Sequence, residues 1–167
     1  MQNESRDQAP DARIGAAPEG VRKFRPTGDG FRWSDVPLKC YKEDGSHFRS
    51  ISRQTLFAGD GDQPCELRYF EIGPGGHSTF ERHVHTHAVL ILRGQGRVLL
   101  GDSIRDIEAF DLVNVPSLTW HQFRADDDQP LGFLCQVACD RDRPTRPDEN
   151  DRREILRNTT VAEFARL

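Results

Sequence analysis

An all-β chain closed into a sandwich or barrel is what this sequence predicts, on three observations. Its apolar runs are short and rich in β-branched and aromatic residues. Clusters of Gly, Asp and Pro separate them at close intervals. No amphipathic helical pattern lies between the runs to support a parallel sheet.

The totals set the frame. A chain of 167 residues is long enough for one domain with a sizeable core. A net charge of -4 with the signs interspersed gives no basis for a nucleic-acid or membrane-surface partner. Mean hydropathy is -0.70, so part of the chain is expected to add little to the core. No apolar run approaches the roughly 20 residues that cross a bilayer. The opening residues lack the apolar stretch of a signal peptide, which points to the cytoplasm. The four cysteines, at 40, 65, 135 and 139, form no CxxC pair and read as small buried hydrophobes.

In chain order, residues 1–30 are charged, rich in Pro and Gly and almost without aliphatics, so they are expected to form a disordered or extended arm. Apolar anchoring begins around Phe24, Phe31 and Trp33, and the barrel is expected to occupy 31–140. Strands are predicted within 48–58, 65–73, 87–94, 96–101, 111–116, 120–125 and 131–139. The glycine clusters at 59–62, 73–76 and 94–96 read as hairpin turns, as does the acidic run before Pro130. Past Asp140 the chain turns charged and proline-rich, the pattern of a solvated linker within a tail over 141–167. Thr160 and Glu163 suggest a capping box, hence a short C-terminal helix docked through Phe164 or Leu167.

Chemistry concentrates in Glu81-Arg-His-Val-His-Thr-His87. Glu81, His83, His85 and His87 alternate, which in a strand puts them on one face. Of six histidines, four lie between His77 and His87. A polar strand face or a pair of hydrogen-bonded core histidines would account for one or two of them. The cluster is better explained by a divalent transition metal ion such as Fe, Mn, Ni or Zn.

Two stretches resemble the motifs of a known family. Gly75-x5-Glu81-x-His83-x3-His87-x6-Gly94 is similar to the first cupin motif, and Phe110-x5-Pro116-x-Leu118-x2-His121 to the second. The resemblance implies a double-stranded β-helix (jelly-roll) barrel of the small single-domain microbial kind. Glu81 stands where the family usually has a histidine and His87 where it usually has a glutamate, so ligand types are exchanged but kept. Phe110 and Leu118 stand at positions that are usually glycine, and Ala125 at one that is usually asparagine.

Residues 81 and 87 in a straight strand would lie about 20 Å apart, too far to share an ion, so the chain must bend between them. The family pattern places that bend near Val84–Thr86. The implied metal set is then Glu81, His83, His87 and His121. His85 becomes an alternate ligand, an acid/base group, a side chain that orients a ligand, or a side chain facing water, the reading its turn position favours. The rival set of His83, His85, His87 and His121, with Glu81 turned away, also stands. His77 and His47 read as loop histidines, and Phe123 as a pocket wall or core residue.

Two function classes follow. One is a mononuclear metalloenzyme of dioxygenase, isomerase or lyase type acting on a small polar or anionic molecule. The other is a barrel that binds or senses a small ligand without turnover. Cupin barrels commonly pair, and Phe31-Arg-Trp33 suits an exchanged edge strand, so a homodimer is expected.

Overall fold

The computed structural model describes residues 20–28, 31–40, 47–59 and 62–167. Most of the expected N-terminal arm, residues 1–19, lies outside them. Nine strands are described: β1 (Leu38–Cys40), β2 (Arg49–Phe57), β3 (Cys65–His77), β4 (His87–Arg93), β5 (Gln95–Leu100), β6 (Ser103–Glu108), β7 (Leu112–Val115), β8 (His121–Ala125) and β9 (Leu131–Ala138). Two helices follow, α1 (Glu149–Ile155) and α2 (Thr159–Phe164). All the predicted strands are present; β1 and β6 are additional. No helix among the described residues is long and apolar enough to cross a membrane.

The sheet runs β6-β5-β8-β3-β9-β4-β7, with β2 also pairing to β3 and β1 to β2. Strand β3 makes closure possible because it serves two layers. Its first eight residues pair with β9, and its last, His77, pairs with Arg124 of β8. The change of layer falls at Gly73-Pro-Gly-Gly76, which is therefore a corner inside a strand and not a hairpin. A Cβ on Gly76 would meet the Arg49 carbonyl oxygen at 2.6 Å, so the kink needs glycine. Gly94 likewise carries the chain from β4 in one layer to β5 in the other, at φ 74°. A Cβ there would lie 1.7 Å from the Pro130 carbonyl oxygen. The acidic run before Pro130 also crosses layers, from β8 to β9.

The barrel interior is filled by alternate residues of the strands, among them Ile72, Val89, Ile91, Val98, Phe123 and Phe133. A second cluster lies under α2, where Val161, Phe164 and Ala165 pack with Phe80 and Leu99. Burying Phe164 and Val161 is worth about 1.5–3 kcal/mol each, enough to hold a six-residue helix that could not stand alone. The cap differs from expectation: Asn158, not Thr160, accepts from the Val161 N–H. Gln122 pins the end of the chain, donating to the Arg166 carbonyl at 3.1 Å and accepting from its N–H at 2.9 Å.

The expected solvated linker contains α1. Asp148 caps it and Asp151 completes a reciprocal capping box, while none of its own residues is buried. Phe31 stacks on Tyr69 of β3 at 5.3 Å and Trp33 meets the same ring edge-on at 5.5 Å. In this chain that segment covers its own sheet.

Phe110 and Leu118, at positions where the motifs usually carry glycine, take φ of 77° and 57°. Phe110 closes the turn in which the Asp111 N–H bonds to the Glu108 carbonyl at 3.0 Å. Its ring is 82% exposed, so packing does not compensate the left-handed backbone. Phe110→Gly is expected to stabilise the fold by about 0.5 kcal/mol, strain relief of about 1 kcal/mol outweighing the added freedom of the unfolded chain. Urea unfolding at equilibrium measures it, and a destabilised variant would show that the ring has a packing role.

Candidate metal centre

The bend expected between Glu81 and His87 is present. Glu81 forms an isolated bridge with His121 through two backbone hydrogen bonds, the chain bends at Val84-His85, and His87 opens β4. His121 opens β8 beside it. The Leu118 N–H bonds to the His83 carbonyl at 2.7 Å and joins the two loops. His83, His87 and His121 converge, with one nitrogen from each lying within 4.8 Å of the others.

Each imidazole is oriented through its other nitrogen. His83 Nδ1 lies 2.7 Å from the His85 carbonyl oxygen, and His121 Nδ1 lies 2.9 Å from that of Thr119. A carbonyl only accepts, so both Nδ1 atoms carry hydrogen and both Nε2 atoms present lone pairs. His87 Nδ1 lies 3.1 Å from the Cys135 sulfur, and its Nε2 is buried with no hydrogen-bond partner. Leaving such an atom unpaired costs about 1–3 kcal/mol, and a metal ion would satisfy it. Burial lowers the basicity of all three rings, His87 to about 2 and His121 to about 4, so they stand neutral and ready to ligate at pH 7. The donor set fits a divalent ion.

Glu81 lines the same cavity, but its carboxylate lies outside the three-histidine set. Burial pushes it up to about 7, with Arg68 and Arg146 opposing, and no group among the described residues hydrogen-bonds its side chain.

His85 also lies outside the set, and it does not face water. Its ring stacks on His83 at 3.7 Å, and its Nδ1 meets the Asp142 carboxylate at 2.7 Å. That carboxylate also accepts from the backbone N–H groups of Val84 and His85 at 2.8 and 2.9 Å. The Val84 N–H foremost, and then His85, hold it well below the usual carboxylate range. Thr145 bridges to Arg82, so the tail read from sequence as solvated braces the loop that carries His83 and His85. Nothing in the sequence pairs Asp142 with a residue 57 positions earlier.

The cavity measures about 530 Å³. Ile51, Phe70, Phe123 and Phe133 supply apolar walls, so Phe123 both fills the core and borders the site. Arg53, Arg68, Arg141 and Arg143 contribute four guanidinium groups. Arg141 is tied to Glu66 at 2.7 Å. Arg68 donates to the Cys135 sulfur at 3.1 Å. Of the four cysteines expected to be buried, only Cys135 is; Cys40 and Cys139 are exposed, Cys65 is intermediate, and all are free. Burial pushes the Cys135 thiol up, and the Arg68 guanidinium pulls it back. His77 and His47 are apart from the site: His77 is buried at the end of β3 beside Gln122, and the His47 ring meets that of Phe48 at 4.6 Å.

Comparison with known proteins agrees with this geometry. A cupin domain model matches residues 68–137. A curated protein of Rhodospirillum rubrum, named 1-methylthio-D-xylulose 5-phosphate methylsulfurylase, is 50% identical over 144 residues, covering 86% of this chain and 92% of the relative. The chain belongs to the cupin family. Among solved cupins, a cupin-2 domain from Rhodospirillum rubrum superposes with TM-score 0.77 at 49% identity, over 86% of this chain and 96% of that one. A cupin 2 conserved barrel protein from Rhodopseudomonas palustris gives 0.79 at 43%, over 87% and 100%. A polyketide cyclase from Streptomyces resistomycificus, 20% identical with TM-score 0.64 over 83% of this chain and 99% of that one, shares the barrel. This cupin therefore keeps the fold with three histidines convergent in its barrel.

Proposed function

We propose that this cupin is a metal-dependent enzyme that removes the methylthio group from a methylthio ketose phosphate, the kind of substrate named for its Rhodospirillum rubrum relative. One observation carries the reading: a single cavity joins a three-imidazole donor set to four guanidinium groups. Imidazoles suit a divalent ion, and guanidinium groups suit a phosphate monoester. His83, His87 and His121 would hold the ion. Glu81, desolvated and without a hydrogen-bond donor, is the carboxylate available to complete the set. When bound, the ion supplies a Lewis acid that polarises a substrate carbonyl.

This chain's own residues do the remaining work. The arginines bind and orient the phosphate end, while the phenylalanine walls keep water from the reacting carbons. Asp142 fixes the loop of His83 and His85. Purified protein loaded in turn with Mn, Fe, Ni or Zn, given 1-methylthioxylulose 5-phosphate and a low-molecular-weight thiol, is expected to release a 1-deoxyketose phosphate. Stabilisation by the substrate without product would instead indicate a binding protein.

A further inference from the structure

We propose that Arg143 is the phosphate anchor of the cavity and sets its preference for phosphorylated over neutral ketoses, an inference that rests on the function proposed above. The four guanidinium groups on the cavity wall are not equivalent. Arg141 is committed to the fold: it donates to Glu66 at 2.7 Å and to the carbonyls of Ala138 and Cys139 at 2.7 and 3.3 Å. Arg68 donates to the Cys135 sulfur at 3.1 Å, and its Nε lies 3.8 Å from the same Glu66 oxygen. Arg53, in β2, is engaged as well. Of the four, Arg143 stands free. It is exposed, lines the cavity, and makes no hydrogen bond or ion pair with any of the described residues.

The backbone delivers that free group to a fixed place. One residue earlier, Asp142 accepts from the N–H groups of Val84 and His85 at 2.8 and 2.9 Å. Two residues later, Thr145 exchanges backbone hydrogen bonds with Arg82 at 2.8 and 3.0 Å. Pro144 lies between, and its ring disfavours helical backbone at the residue before it. The chain is therefore tied to the loop of His83 on both sides of Arg143. Binding an anion there has to order one side chain and no backbone.

The lining also differs in polarity with depth. Phe123 and Phe133 border the cavity from the barrel core, at 3% and 4% exposed, whereas Arg143 stands at solvent. A phosphate monoester is close to a dianion at pH 7, and burying it among apolar side chains costs far more than leaving it at the rim against a guanidinium. A methylthio group is apolar and gains by leaving water. The substrate therefore enters methylthio end first, and its phosphate stays at the mouth. There the planar fork of Arg143 offers parallel N–H donors to two phosphate oxygens.

The test is calorimetric titration of the metal-loaded protein with D-xylulose 5-phosphate and with D-xylulose, neither of which carries a methylthio group to lose. The wild type is expected to bind the ester about 100-fold more tightly than xylulose. Arg143→Ala should bind the ester about 10- to 100-fold more weakly, the range for hydrogen bonds to a charged group, and should bind xylulose as the wild type does. Arg143→Lys should recover part of the loss, because lysine keeps the charge but not the fork. With 1-methylthioxylulose 5-phosphate and thiol, the loss in Arg143→Ala should fall on KM rather than kcat. Urea unfolding should place this variant at the wild-type midpoint, since the guanidinium has no partner to lose.

Wild-type turnover together with unchanged affinity of Arg143→Ala for the ester overturns the assignment and leaves the function intact. Equal weakening toward the ester and xylulose also overturns it, because the residue would then act on the shape of the site. A wild type that neither prefers the ester nor releases product overturns both.

Discussion

The double variant His87→Ala, His121→Ala is expected to lose stoichiometric metal while keeping its fold. Zinc holds four-ligand protein sites with about 10–16 kcal/mol. Removing two imidazoles of such a set is expected to weaken binding by about 5 kcal/mol or more, on the order of ten-thousandfold. Elemental analysis of protein purified without added metal should fall from about one ion per chain to nearly none. The fold should survive because the wild-type rings contribute little to it when metal is absent. His87 Nε2 is buried without a partner, a burden the alanine removes. His85→Ala is the control and should keep its ion, because His85 lies outside the convergent set. A double variant that retains stoichiometric ion would refute the assignment.

Acid acts on the same groups. His87 and His121 have folded-state values of about 2 and 4, below the ordinary 6.5. Between those values and 6.5 the unfolded chain binds more protons than the folded one, so the slope of stability with pH is positive. The metal-free fold therefore keeps this stability above about 6.5 and loses it as pH falls through the window beneath.

What the sequence revealed and what it concealed divide along one physical line. Strands such as Cys65–His77 and Leu131–Ala138 were legible because apolar density and turn residues are local signals. The convergence of His83, His87 and His121 was legible through the resemblance to the two cupin motifs, which supplied His121 and the place of the bend; spacing alone required only that the chain bend if 81 and 87 share an ion. Strand β6 was not, because Ile104 and Ile107 lie three apart and show no period of two. Helix α1 has no buried residue, so it lacks the apolar stripe that betrays most helices, and only the capping pair Asp148 and Asp151 marked it.

The glycine clusters at 73–76 and 94–96 announce unusual backbone but not which layers they connect; corner and hairpin draw on the same residue. The braces of the site were the least legible. Asp142 reaches His85 from the tail, and Arg68 meets Cys135 only through the register of β3 against β9. Such contacts depend on which strands become neighbours, and no local pattern encodes that.

Glu81→Gln is expected to act in opposite directions with and without metal. In the metal-free protein Glu81 titrates at about 7 against an ordinary 4.5, chiefly because it is desolvated. Between 4.5 and 7 the folded state holds a proton that the unfolded state has released, so stability falls as pH rises through that window. The full shift is worth about 3 kcal/mol, present below 4.5 and lost above 7. Glutamine keeps the shape without the charge. At pH 8 the metal-free variant should therefore be more stable than the wild type by up to about 3 kcal/mol, and at pH 4.5 the two should nearly coincide. Metal reverses the order, because a cation beside the carboxylate compensates the charge that water no longer solvates. Wild type should then bind the ion about 10- to 100-fold more tightly than the variant. Urea unfolding at the two pH values, with and without metal, measures all four states. The crossing separates the readings: a carboxylate turned away from the ion would be stabilised by glutamine whether or not metal is bound.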